Sequence, residues 1–141
     1  MANDSGDFAK SMSIATSGLR AQAGRMRVIS ENIANADSTA MTAGGDPYRR
    51  KIPSFTSALD RSLDAKVVTL GRIRSDQGAF RIKSEPGNPA ADAAGNVKYP
   101  NVNPLVEMTD MREAQRSYEA NLNIISATRR MIQRTLDILK A

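Results

Sequence analysis

The side chains able to do chemistry in this chain are carboxylates, amines, amides and hydroxyls, because it contains neither cysteine nor histidine. That removes thiolate nucleophiles, disulfides, Ser-His-Asp triads and nearly every zinc site. The carboxylates are scattered along periodic segments, beside basic neighbours such as Glu113 and Arg116, a spacing that makes helix-surface pairs rather than a converging acid and base. No enzyme, cofactor or metal is expected from such a set. The polar residues that stand out do so by position. Gln22, Gln115 and Arg129 interrupt apolar stripes, where a polar side chain either fixes the register of packed helices or marks an exposed turn. Asn32 and Asn35 stand where a helix ends and can bond its open backbone groups. Tyr118 joins apolar area to a hydroxyl that needs a partner when buried.

The elements that carry these residues are long. Phe8, Met12, Ala15, Leu19, Gln22, Met26, Ile29 and Ile33 alternate steps of four and three, and so do Met108, Met111, Gln115, Tyr118, Leu122, Ile125, Arg129, Ile132, Leu136 and Leu139. Such spacing holds one seam against a partner helix. The first helix is predicted from about residue 6 to about 36, with Asp4, Ser5 and Asp7 as cap and first-turn residues. Gly18 and Gly24 lie inside it, each costing a free helix about 1 kcal/mol relative to alanine, and read either as close packing against another backbone, as a helix that forms only when packed, or as tolerated weak spots. The last helix is predicted from Asn103 as cap and Pro104 at its first position, with Glu107 near the positive end of its dipole, to about Leu139. At 1.5 Å per residue it would be roughly 50 Å long, too long for a small middle region to cover. The seams must pack on each other as an antiparallel pair, or on neighbouring copies.

Between the helices the pattern changes. Short β-branched runs at VVTL, RIR and AFRIK predict two or three strands, and Glu85 to Asn96, rich in Pro, Gly and Ala, predicts an exposed loop. The expected fold is mainly α with a small β-containing middle: residues 1–40 and 103–141 form an axial core of terminal helices packed as a coiled coil, and residues 41–102 form a short-stranded outer domain.

Most of the net charge of +5 sits in the middle, where residues 46–104 hold ten basic and six acidic side chains. Three Phe, three Tyr and no Trp leave little for stacking bases, and no helix is continuously basic, so nucleic acid is not an expected partner. Arg49, Arg50 and Lys51 could meet acidic surfaces on a neighbouring copy but read first as a solvated run, and replacing Arg50 is expected to matter less than replacing a seam residue. No apolar run reaches the roughly 18 residues of a membrane span, and the first ten residues do not resemble a secretory signal. A basic lipid- or nucleic-acid-binding module and a soluble helical adaptor are the rival readings.

The residues also carry a resemblance. SGLRAQAGRMRVISENIANADST, Ser17 to Thr39, resembles the signature of bacterial flagellar rod and hook axial proteins. GGDPYRRK, Gly44 to Lys51, and KYPNVNPLVEMTDMREAQRSYEANLNI, Lys98 to Ile124, are similar to its proximal rod members. The resemblance implies a structural subunit of the flagellar drive shaft. It implies copies of itself and other rod proteins as partners, and export through the flagellar type III apparatus without cleavage of a signal. The matching positions are Asn32, Ile33, Ala34 and Asn35, then Asn103, Pro104, Met108, Asp110, Met111, Tyr118, Glu119, Ala120 and Asn121. With the seam positions Leu19, Met26, Ile29, Leu122, Ile125, Ile132 and Leu136, these are the expected assembly residues. Ala40 to Ala43 depart from the family pattern.

Overall fold

The computed structural model describes residues 2–140, with side chains from Gly6 onward. Two long helices, α1 (Ala2–Ala34) and α2 (Pro104–Lys140), enclose in sequence six short strands: β1 (Lys51–Ile52), β2 (Phe55–Asp60), β3 (Ala65–Leu70), β4 (Arg74–Ser75), β5 (Arg81–Ser84) and β6 (Asn96–Tyr99). The strands pair antiparallel as β1 with β4, β2 with β3 and β5 with β6. Mainly α with a small stranded middle is therefore the observed class. The strands outnumber those expected because β1, β2 and β6 lack a sustained β-branched run and are recruited by cross-strand pairing.

α1 starts earlier than expected, so Asp7 lies inside the helix, and the side chains of Asp4 and Ser5 fall outside the described residues. It ends at Ala34, where Asn35 donates its side-chain amide to the Glu31 carbonyl at 2.8 Å and Ala36 turns back to Ile33. These bonds satisfy carbonyls that a helix end leaves open. α2 starts as the sequence indicates. The Asn103 side-chain oxygen accepts from the Leu105 amide at 3.1 Å, and Pro104 takes the first helical position.

The chain divides into two compact units. One holds α1 through Met26, Ser54–Arg72 and α2 from Glu113. Within it the helices run antiparallel: Gly18 lies against Asn121, and Arg25 faces Glu113 at 3.6 Å. The β2–β3 hairpin docks on α1, with the Val68 amide donating to the Ser17 hydroxyl at 3.1 Å. Gly18 and Gly24 of α1 are explained here by side chains rather than by a crossing backbone. A Cβ at Gly18 would come within 2.9 Å of the Asn121 amide, and one at Gly24 within 2.8 Å of Leu70 Cδ2. The two should respond differently to alanine. Leu70 can swing the end of its side chain aside, so Gly24→Ala should fall within about 0.5 kcal/mol of the parent after the helix gain. The Asn121 amide is tied to the Ser117 carbonyl at 2.9 Å, so Gly18→Ala should cost about 1 kcal/mol in urea unfolding.

The second unit holds Arg27–Pro53 and Ile73–Arg112. Val28, Ile29, Val97 and Val102 are fully buried there, and Ala90, Val97 and Tyr99 form a cluster with Ala91 against it. The Glu85–Asn96 loop is thus only partly the exposed segment expected. Its turns are held by Asp92, whose carboxylate accepts from the Ala94 and Asn96 amides, and its Ala90 packs inward.

Candidate functional site

The stripe that faces inward on α2 is one position off the one read from the sequence. Glu107, Ala114 and Thr128 are buried, Asn121 on the same seven-residue step contacts Gly18, and Met111, Tyr118, Ile125 and Ile132 are half-buried beside them. The alternate positions of the expected seam point outward: Met108 is 51% exposed, Leu122 42% and Leu136 45%, and Gln115 and Arg129 are exposed. So Gln115 and Arg129 are exposed turns, not buried polar interruptions. Gln22 differs. It is half-buried, and its side-chain oxygen has no hydrogen-bond partner among the described residues. On α1, Ile29 and Asn32 are buried, while Leu19, Met26 and Ile33 are half-buried, as is Asn35 just past its end. Asn103 is exposed at the cap and Pro104 half-buried beside it.

Asn32 does more than end a helix. Its side-chain oxygen accepts from the Lys51 amide at 2.9 Å and from the Tyr48 hydroxyl at 2.8 Å. Its amide nitrogen donates to the Lys51 carbonyl at 2.8 Å and to Glu107 Oε2 at 3.0 Å. One buried amide thereby ties α1 to β1 and to α2 with every hydrogen-bonding group used. Glu107, at 1% exposure, receives Arg50 Nε on its other oxygen at 2.6 Å. Arg50 also reaches Asp76 at 3.8 Å and Asp110 at 3.6 Å, and its own amide donates to Asn101. A buried carboxylate needs such partners, since leaving it alone costs several kcal/mol.

The basic run is therefore not the solvated run expected. Arg50 is locked to Glu107, Arg49 stacks over the Phe80 ring at 4.1 Å, and Lys51 pairs with Glu31. Farther along, Arg81 donates to the Ala36 carbonyl at 2.7 Å and Lys98 pairs with Asp46 at 2.8 Å. Much of the positive excess is consumed inside the second unit, which leaves less of it for a polyanion. Sequence reading missed Glu107, Tyr48 and Asn101 as partners. The one available signal was that an acid shares a seven-residue step with Ala114, Asn121 and Thr128, small or polar residues that a packed helix face accepts.

Tyr48 supplies a titration handle. Burial, with the negative charges of Glu31 and Glu107 behind it, pushes its hydroxyl up to about 12. The fold favours the neutral phenol, so its contribution is complete below the unfolded value of about 10 and lost as pH rises through about 12. Chemical denaturation should show stability falling across that window, and Tyr48→Phe should flatten the fall.

Among the described residues no group of His, Cys, Asp or Glu is arranged to hold a metal, and no helix is long and apolar enough to cross a membrane. The polar groups that converge do so on backbone amides and on each other, and α2 leaves large apolar side chains uncovered, Met108, Leu122 and Leu136 among them. These features describe a structural, assembly-forming protein. Residues 12–40 match the family described as Flagella basal body rod protein, and residues 93–138 match Flagellar basal body rod FlgEFG protein C-terminal. The chain is 54% identical to the flagellar basal-body rod protein FlgC of Agrobacterium fabrum, over 91% of this chain and 92% of that one. It is 38% identical to FlgC of Bacillus subtilis, over 92% and 97%, and 38% identical to FlgC of Salmonella typhimurium, over 89% and 92%. The chain belongs to the FlgC family of flagellar basal-body rod proteins.

Proposed function

We propose that this chain is a structural subunit of the proximal flagellar rod, where many packed helices carry motor torque and no catalytic step is involved. Its partners are copies of itself and other rod proteins. The uncovered row of α2, Met108, Leu122 and Leu136, carries the reading, because large apolar side chains two heptads apart on one helix face, with Gln115 and Arg129 between them, suit a neighbouring helix. Residues 1–40 and 103–141 would form the axial core in the assembled shaft, with residues 41–102 outside it. The expected assembly residues of α2 from Met108 onward then fall into two sets. Met111, Tyr118, Asn121, Ile125 and Ile132 are at least partly covered and hold the subunit to itself. Met108, Leu122 and Leu136 meet neighbours. The subunit would reach the periplasmic space through the flagellar export apparatus with its N-terminus uncleaved. The family makes the adaptor and basic-module readings the poorer ones, and so does the internal pairing of Arg50, Lys51 and Lys98.

Deleting the encoding gene should leave cells without rods or filaments, and restoring it should return both. Basal bodies isolated from the complemented strain should contain the intact chain by mass spectrometry. Swimming cells that lack the gene, or basal bodies that lack the chain, would overturn the reading.

A further inference from the structure

The β2–β3 hairpin has one covered edge and one open edge. The Gly71 amide donates to the Ser54 carbonyl at 2.7 Å, and the Val68 amide turns away from β2 to Ser17. With Ser57 opposite Val68, the alternation of an antiparallel pair then leaves the backbone N–H and C=O groups of Phe55, Ser57 and Leu59 pointing outward from β2. Among the described residues nothing pairs with them, and Phe55 and Leu59 are 42% and 58% exposed. None of the devices that usually blunt an edge strand, a lysine, a proline or a bulge, interrupts FTSALD. A lone hairpin is marginal in water, so an open, partly apolar edge on one asks for a partner.

A second open edge lies on β5. The Glu85 amide donates to the Gly95 carbonyl at 2.8 Å, so the alternation leaves Ile82 and Ser84 directed away from β6. Ile82 is 66% exposed, between Arg81 and Lys83. β2 carries one acid, Asp60, and no base, whereas β5 carries two bases and no acid. Pairing β5 with itself would crowd four cations, and pairing β2 with itself makes a closed two-fold contact. Unlike edges attract, and because they differ, the contact repeats from copy to copy without closing.

We propose that β2 of one copy adds to the free edge of β5 of the next, antiparallel, with Leu59 beside Ile82 and Ser57 beside Ser84. This rests on the reading of the chain as a rod subunit whose copies are neighbours. The pairing satisfies outward backbone groups on both strands and covers the exposed Leu59 and Ile82 side chains together.

The chain has no native cysteine, so single-cysteine variants give an unambiguous test. Leu59→Cys and Ile82→Cys chains, expressed together in a strain lacking the native gene, should give oxidised basal bodies with a covalent dimer that contains one of each. Dimers of Leu59→Cys with itself alone would overturn the β5 assignment. Basal bodies that contain both chains, in swimming cells, with no dimer would overturn the pairing while leaving the rod reading intact. Absence of the native chain from basal bodies would fail the rod reading itself. Ser57→Pro decides the matter if the cysteine variants do not assemble. It removes an outward N–H and leaves the hairpin bonds in place. Loss of flagella with the Thr56 and Val67 amides still protected supports the pairing, and parental flagellation overturns it.

Discussion

Replacing Arg50 by alanine should destabilise the chain by about 3 kcal/mol, measured by urea unfolding near neutral pH. The loss comes from Glu107, which keeps its buried position with one bond to Asn32 but no opposite charge. Arg50 is itself partly open to solvent, 23% at the side chain, which is why the figure lies at the lower end of the range for buried pairs. Arg50→Lys should recover part of the loss, since it restores the charge but not the planar guanidinium that reaches Glu107, Asp76 and Asp110 together. Adding Glu107→Gln to Arg50→Ala should also recover part of it, because the unpaired charge is gone. An Arg50→Ala chain as stable as the parent would mean that the buried node does not hold the second unit. The sequence reading of this run as solvated predicted a small effect, and the geometry reverses that order.

Leu122→Asp should do the opposite: little to the free chain and everything to assembly. Leu122 is 42% exposed, so an aspartate there stays hydrated in the isolated protein and should cost under about 1 kcal/mol. Under a neighbouring helix the same charge would be stripped of water at several kcal/mol, which stops the subunit from joining the shaft. Cells carrying it should be non-motile, with the chain made at normal level and missing from basal bodies. Ile125→Asp separates the two faces, because Ile125 is half-buried within its own unit. It should lower the stability of the free chain as well as block assembly. Motile flagella with Leu122→Asp in place would sink the outward-facing seam.

Much of the architecture was present in the residue order. Seven-residue spacing determined two long helices, because a 3.6-residue turn places those side chains on one side whatever surrounds them. Asn103 and Pro104 determined where α2 begins, since a cap and a fixed φ act through neighbouring backbone alone. Lack of histidine and cysteine determined which chemistries are closed to the chain, and the rod-family segments at both ends determined its kin.

The tertiary structure decided which of two adjacent stripes on α2 turns inward. Met108–Leu122–Leu136 is the more apolar stripe and won the periodicity argument, yet Glu107–Ala114–Asn121–Thr128 packs inside. Small residues let α1 approach closely, and the one acid among them is neutralised by Arg50, which lies 57 positions away in sequence. No local pattern encodes a partner at that separation. The strands β2 and β6 were hidden for the same reason: each is made a strand by the chain beside it, and pairing across a hairpin is settled by three-dimensional register rather than by propensity.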